Sequence, residues 1–341
     1  MSRPAFHELR FWLLLAALAL VVAGLLLPRV KLTREAYDAI AFIDITASMN
    51  TRDVTINGQA VSRLDLIKNR LGGFVERLPC QSKLGLGLFT ERRVVVLFEP
   101  VEVCANFADI EASINALDWR MAWAGDSHVA RGVHRAFTVA ANLGVDLLFF
   151  TDGHEAPPLP WTGLPDFEGE VGEVHGLVVG VGGKSLVPLA KFDEEGRQVG
   201  VLSAEEVLQE NRSGLPPPDA VSRPGYHPRQ SPFGTEHIDN NEHLTSVKEE
   251  HLQALASQVG LAYAHLGSAA QLLSDYEAVA SPRAVTVSAD IRPYPGWVAL
   301  FLLAILYGVL PLRTYLAGRQ ARPQQFRRAP SGKITTKEAY S

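Results

Sequence analysis

Two uncharged apolar blocks bracket the chain, and between them short apolar runs alternate with stretches whose apolar residues recur every three or four positions. The blocks, Phe11–Leu27 and Gly296–Leu312, are each at the short end of the ~17–25 residues that a membrane-spanning helix needs. Trp12, Trp297 and Tyr315 lie near their ends, where amphipathic rings favour the interface. The first block is either an uncleaved anchor or a signal peptide. Its length, and Pro28-Arg29-Val30-Lys31 where small cleavage-site residues belong, favour the anchor. The second is either a buried core helix or a span, and the basic tail directly after it favours the span.

Between the blocks, Ala39–Ile45 is a near-continuous apolar run, the pattern of a strand buried on both faces. Ser62–Leu78 places Leu64, Ile67, Leu71, Phe74, Val75 and Leu78 on one helical face, with Ser62 as N-cap and Pro79 as the stop. Leu84–Thr90 and Arg93–Phe98 read as strands joined by a tight turn. Helices are expected at Phe107–Leu117, Ser127–Leu143 and Ser246–Val259, and buried strands at Asp146–Thr151, Val174–Val181 and Leu261–Leu266. Arg283–Asp290 alternates and is either a short strand or an extended tether. This order predicts an α/β fold with a doubly wound, mostly parallel sheet and one antiparallel hairpin. A polar insertion, about 183–245 and containing Pro216-Pro217-Pro218, interrupts it. The expected organisation is an N-terminal tail (1–10), a span (11–27), the α/β domain (35–270), a tether (271–295), a second span (296–312) and a basic tail (313–341).

Charge sets the orientation. Arg313, Arg319, Arg322, Arg327, Arg328, Lys333 and Lys337 follow the second block against the single acid Glu338, which places the C-terminus in the cytoplasm. The flanks of the first block are ambiguous, so the stronger signal decides: both termini are cytoplasmic, and the domain between two inner-membrane spans is periplasmic. Taking the +1 of residues 1–10 and the +6 of residues 313–341 from the overall −5 leaves −12 for the remainder. That acidity does not suit a nucleic-acid binder. The chain has two cysteines, Cys80 and Cys104. They are either unpaired buried thiols or a disulfide closing a loop of about 25 residues, worth ~3 kcal/mol in the chain-entropy model.

Three separated segments carry the candidate chemistry. Asp44-Ile45-Thr46-Ala47-Ser48 ends the first buried strand, Gly125-Asp126-Ser127 stands at a helix start, and Thr151-Asp152-Gly153 follows the strand DLLFF. Ligands of open α/β sheets sit beyond the carboxyl ends of the strands, where Asp44 and Asp152 fall. Two carboxylates with the hydroxyls of Thr46, Ser48 and Ser127 form an all-oxygen set suited to Mg²⁺ or another hard divalent cation. Such a cation attracts a carboxylate from outside. No general base stands paired with a nucleophile and no G-x-S-x-G elbow is present, so binding rather than catalysis is expected.

D-x-T-x-S after an apolar strand, G-x-S at a helix start and F-T-D-G after another strand together resemble the metal-ion-dependent adhesion site of von Willebrand A domains. The resemblance implies that Thr46, Ser48 and Ser127 are direct ligands and that Asp44 and Asp152 act largely through water. Threonine stands at the usual first serine, and serine at the usual second-loop threonine. Both replacements keep the oxygen. The stretches DITASMN, LPCQSKLGLGLFTER, FEPVEVC and WRMAWAGDS, within residues 35–270, also resemble MxaL-type proteins of methanol-oxidation clusters. That implies a periplasmic role in maturing quinone-dependent methanol dehydrogenase, including insertion of its calcium. A client or sister protein would supply an acidic residue, alongside other von Willebrand A membrane proteins and a MoxR-type ATPase. The alternative is a structural subunit of a membrane stress complex of the aerotolerance type.

Other signals are weaker. GLVVGVGGKS lacks the first glycine of a phosphate loop. His154-Glu155 is expected to be a solvated loop pair, and His237–His243 a polar turn. Trp119, Met121 and Trp123 are either an exposed recognition surface or, as expected, a loop packed beneath the site, and His128 and His134 need no special role.

Overall fold

Asp38–Asp44 (β1) shows why helices must cover both faces of this sheet. Ala39, Ala41 and Ile43 enter one hydrophobic core, whereas Ile40 and Phe42 enter another, and all five are buried. Side chains alternate across a strand, so a strand apolar at every position needs a layer on each side. The computed structural model describes residues 3–26, 30–123, 125–159, 163–193, 195–203, 206, 222, 243–291 and 293–320. They fall into two units, Arg34–Val285 and Met1–Thr33 with Thr286–Ser341.

After β1 the central unit places α1 (Arg63–Arg77), β2 (Lys83–Thr90), β3 (Arg93–Glu102), α2 (Phe107–Asn115) and α3 (Val129–Leu143). Then come β4 (Asp146–Thr151), β5 (Gly176–Gly180), α4 (Glu249–Val259), β6 (Ala262–His265) and α5 (Ala269–Glu277). The six-stranded sheet runs β6-β5-β4-β1-β2-β3, with β3 antiparallel to β2 and the other neighbours parallel. Residues of α1, α2 and α5 build the first core, and residues of α3 and α4 build the second. The expected mostly parallel sheet is therefore an α/β fold on a mixed sheet. Burial of Phe42, Phe74, Phe149 and Phe150 contributes on the order of 1.5–3 kcal/mol each.

Several boundaries differ from the sequence reading for identifiable reasons. β3 continues past Phe98 to Glu102 because it is an edge strand with register shifts, where Pro100 leaves no neighbour without a donor. The helix expected from Ser127 begins at Val129, since Ser127 is held in extended pairing. The segment expected as a tether from residue 271 instead carries α5, whose Leu272 and Tyr276 are buried. Tyr276 donates to Asp146 Oδ2 at 2.9 Å, which ties this helix to β4. A hairpin, Val54–Ile56 with Gln59–Val61, turns on Asn57 and Gly58 at φ 50° and 81°, the left-handed pair such a turn requires.

Within the insertion, Val187–Pro188 pairs with Leu244–Thr245 and Ala190–Phe192 with Gln198–Val201. Pro216–Pro218 and residues 237–242 lie outside the described residues. Cys80 and Cys104 are joined in a disulfide, Cα–Cα 5.3 Å, linking the turn after α1 to the segment after β3.

In the other unit, helix Arg3–Leu26 contains an 18-residue window of mean hydropathy 2.4, and Pro293–Arg313 has mean hydropathy 2.0 over 21 residues. These two apolar helices match a two-span membrane topology with the central domain between them. Val30–Ala36 and Arg283–Ala289 pair as a two-stranded sheet, so the alternating segment Arg283–Asp290 is largely strand.

Gly132 in α3 has no room for a side chain, because a Cβ there would lie 2.2 Å from the Phe89 ring. Gly132→Ala is expected to destabilise the domain by about 1–3 kcal/mol through overpacking, read as a lower midpoint in denaturant unfolding.

Candidate functional site

Asp44 ends β1 and Asp152 follows the last residue of the neighbouring parallel strand β4, and both are fully buried. Asp44 Oδ1 accepts from Thr46 N at 2.9 Å and from Thr46 Oγ1 at 2.7 Å. Its Oδ2 accepts from Thr151 Oγ1 at 2.6 Å, so the last residue of β4 clasps the last residue of β1. The chain then makes one tight turn, Ala47–Asn50, which sets Ser48 Oγ 3.5 Å from Thr46 Oγ1. Asp152 Oδ1 accepts from His154 N at 3.0 Å, and Oδ2 accepts from Thr245 Oγ1 at 2.8 Å and Arg63 Nη1 at 2.5 Å. Burial, then the neighbouring Asp152 charge, pushes the Asp44 carboxyl up to about 7 against the opposing hydrogen bonds from Thr151 and Thr46.

Ser127 arrives by a different route. Its backbone bridges Glu91, just after β2, and Ala156, with Ser127 N to Ala156 O at 2.7 Å and Ala156 N to Ser127 O at 2.8 Å. His128 N donates to Glu91 O at 2.6 Å. The segment is thereby fastened between the carboxyl end of β2 and the loop that follows β4. Ser127 is 2% exposed, and its Oγ has no hydrogen-bond partner among the described residues. Thr90 Oγ1, at the end of β2, and Thr51 Oγ1, beyond the Ala47–Asn50 turn, share that condition. A buried hydroxyl left without a partner costs about 1–3 kcal/mol, unless a ligand completes it. Hydroxyl and carboxylate oxygens of this kind are the donors that a hard cation takes.

The sequence reading missed the residues that hold this arrangement. Arg63 is fully buried, with a salt bridge to Asp152 at 2.5 Å and another to Asp53 at 2.6 Å. Burial opposes ionisation of Asp53, but Arg63 and the Gly183 N–H outweigh it and hold the carboxyl below its ordinary range. A signal for Arg63 was present, because positions 63, 67, 71 and 74 share the apolar stripe of α1. Thr245 lies 93 residues beyond Asp152 and carries no local signal.

His154 and Glu155 are not the expected solvated pair: His154 is 6% exposed, and the Glu155 side chain 8%. Glu155 caps α3, accepting from Val129 N at 3.0 Å and Ala130 N at 2.8 Å, and meets His251 at 3.2 Å. A carboxylate there satisfies orphan N–H groups and meets the positive end of the helix. Burial lowers the pKa of both His128 and His134, and His134 contacts Gln258 at 3.0 Å. Trp119 packs on Phe192 at 4.8 Å, whereas Met121 and Trp123 stand 44% and 51% exposed instead of packing beneath the site. Cys80, Glu102 and Cys104 also converge, but the disulfide engages both sulfurs.

No family model matches the chain, and no curated protein matches it. Among solved structures it is similar to an aerotolerance-related membrane protein from Bacteroides fragilis NCTC 9343, with 14% identity over 71% of this chain and 98% of that one, TM-score 0.42. It is likewise similar to the conserved hypothetical protein BatB from Bacteroides thetaiotaomicron, with 14% identity, coverage of 70% and 95%, and TM-score 0.43. A von Willebrand factor type A protein from Catenulispora acidiphila gives 11% identity, coverage of 72% and 43%, and TM-score 0.32. At TM-scores below 0.5 such likenesses carry no weight of their own.

Because Glu155 holds two N–H groups at the start of α3, Glu155→Ala is expected to cost about 1–2 kcal/mol of stability. Equilibrium unfolding of the variant against the parent measures this.

Proposed function

We propose that the chain is a membrane-anchored, metal-dependent protein-binding domain of the von Willebrand A type. Thr46, Ser48 and Ser127 would hold Mg²⁺ or another divalent cation, with Asp44 and Asp152 in support. The observation that carries this reading is the unsatisfied, buried Ser127 hydroxyl, on a segment paired to Glu91 just after β2 and to Ala156 in the loop that follows Asp152. When bound, such a cation supplies an open coordination position for a carboxylate of a client or sister protein.

The chain's own residues do the positioning. Thr151 and Thr46 fix the Asp44 carboxylate, Arg63 and Thr245 fix that of Asp152, and backbone pairing with Glu91 and Ala156 fixes the segment that carries Ser127. The reading is one of binding rather than turnover.

For the setting, a subunit of a membrane complex of the aerotolerance type, working with a MoxR-type ATPase, stands ahead of methanol dehydrogenase maturation. A tethered binding domain needs only a partner, and no described residue is particular to a quinone enzyme or to its calcium. The charge bias of the C-terminal tail supports a bacterial inner-membrane location with the domain in the periplasm. Recovery of dehydrogenase subunits with the protein from native membranes would reverse that order.

Ser48→Ala and Ser127→Ala are expected to abolish partner capture without lowering the unfolding midpoint, since neither hydroxyl supports a strong internal hydrogen bond. Asp44→Ala differs, because Thr46 and Thr151 would lose their acceptor, and it should also lower stability. Co-purification with and without a chelator checks the reading, and capture that persists unchanged in the chelator rejects it.

A further inference from the structure

Arg63 contacts four residues, one of them Ser48, whose backbone carbonyl accepts from Nη1 at 3.5 Å. Its Nε and Nη2 form a fork on Asp53, at 2.9 and 2.6 Å. Its Nη1 reaches Asp152 Oδ2 at 2.5 Å and Thr245 Oγ1 at 3.0 Å. Asp53 Oδ2 also accepts from Gly183 N at 2.8 Å, and Gly183 O accepts from Val247 N at 2.9 Å. Gly182 sits so close that a Cβ there would lie 2.5 Å from Arg63 Nε. The two ends of the 183–245 insertion therefore close on the guanidinium that grips Asp152.

This geometry decides what Asp152 can do. With Oδ1 on His154 N and Oδ2 on Arg63 and Thr245, the carboxylate is fixed in rotation. The fork on Asp53 aims the guanidinium, since a planar donor held by two parallel bonds has one orientation left for its third nitrogen. Charge follows the same pattern. Asp44, Asp53 and Asp152 against Arg63 leave two net negative charges when all are ionised, matching one divalent cation. Neutralising Asp53 halves that charge and leaves Asp152 as the sole counter-ion of a buried arginine.

We propose that Asp53 and Arg63 are positioning residues for the cation site, and that they couple it to both ends of the insertion. The proposal rests on the cation-binding reading above and adds to it the residues that set affinity from outside the ligand set. Groups that orient metal ligands typically contribute ~10–100-fold in affinity. Coupling is reciprocal, so cation binding must also steady the base of the insertion.

The test is a Mn²⁺ titration of the full-length chain in detergent, following free Mn²⁺ by electron paramagnetic resonance, with thermal melting as the control for folding. The parent is expected to bind saturably. Asp53→Asn is expected to bind ~10–100-fold more weakly while still folded, and Asp53→Glu to recover most of the loss. Hydrogen exchange at Val187–Leu189 and Leu244–Val247 should slow on Mn²⁺ addition in the parent and not in Asp53→Asn. Arg63→Lys keeps the charge but loses the fork, and should resemble Asp53→Asn. If it fails to fold, the Asp53 variants decide alone. Unchanged Mn²⁺ affinity in folded Asp53→Asn overturns the proposal while sparing the cation site. Absence of saturable binding in the parent overturns both.

Discussion

Taking two carboxylates out of water at the ends of adjacent strands is the constraint around which the rest of the domain is arranged. An unpaired buried charge is expensive, so each aspartate oxygen must find donors inside the protein. The parallel register of β1 and β4 brings Asp44 within reach of Thr151, and the turn after β1 folds Thr46 back onto the same carboxylate. Asp152 lies one residue beyond and draws its donors from α1 and from the far end of the insertion. The sheet thus contributes direction, the loops contribute hydroxyls, and one buried arginine contributes the balancing charge.

The parts of this arrangement legible in the sequence were those with local signatures. Uninterrupted apolar runs marked β1 and β4, and the aspartates at their ends followed from the topology of parallel sheets. The i, i+4 stripe and Ser62 marked α1, where Ser62 does accept from Asp65 N. The Asn57-Gly58 turn is an equally good local signal, but its flanking strands are only three residues each, too short for their alternation to stand out.

Other features were hidden because they are settled at long range. Glu155 looks like an exposed loop acid until the start of α3 is placed against it, and Thr245 acquires meaning only beside Asp152. Ser127 stands in a motif expected to open a helix, but pairing with Glu91 and Ala156 outweighs helical propensity there and the helix starts at Val129. α5 escaped notice because nine residues with two buried anchors leave too short a periodic pattern to stand out.

The insertion leaves and rejoins the domain at a single seam, where Val187–Pro188 lies beside Leu244–Thr245 and Gly183 meets Val247. A loop whose ends are stapled at its root is a module: doubling its length adds only about 0.6 kcal/mol of closure entropy. Descendants of this chain can lengthen or exchange the excursion beyond these pairings without disturbing the six-stranded sheet, so new recognition surfaces can evolve on an unchanged chassis.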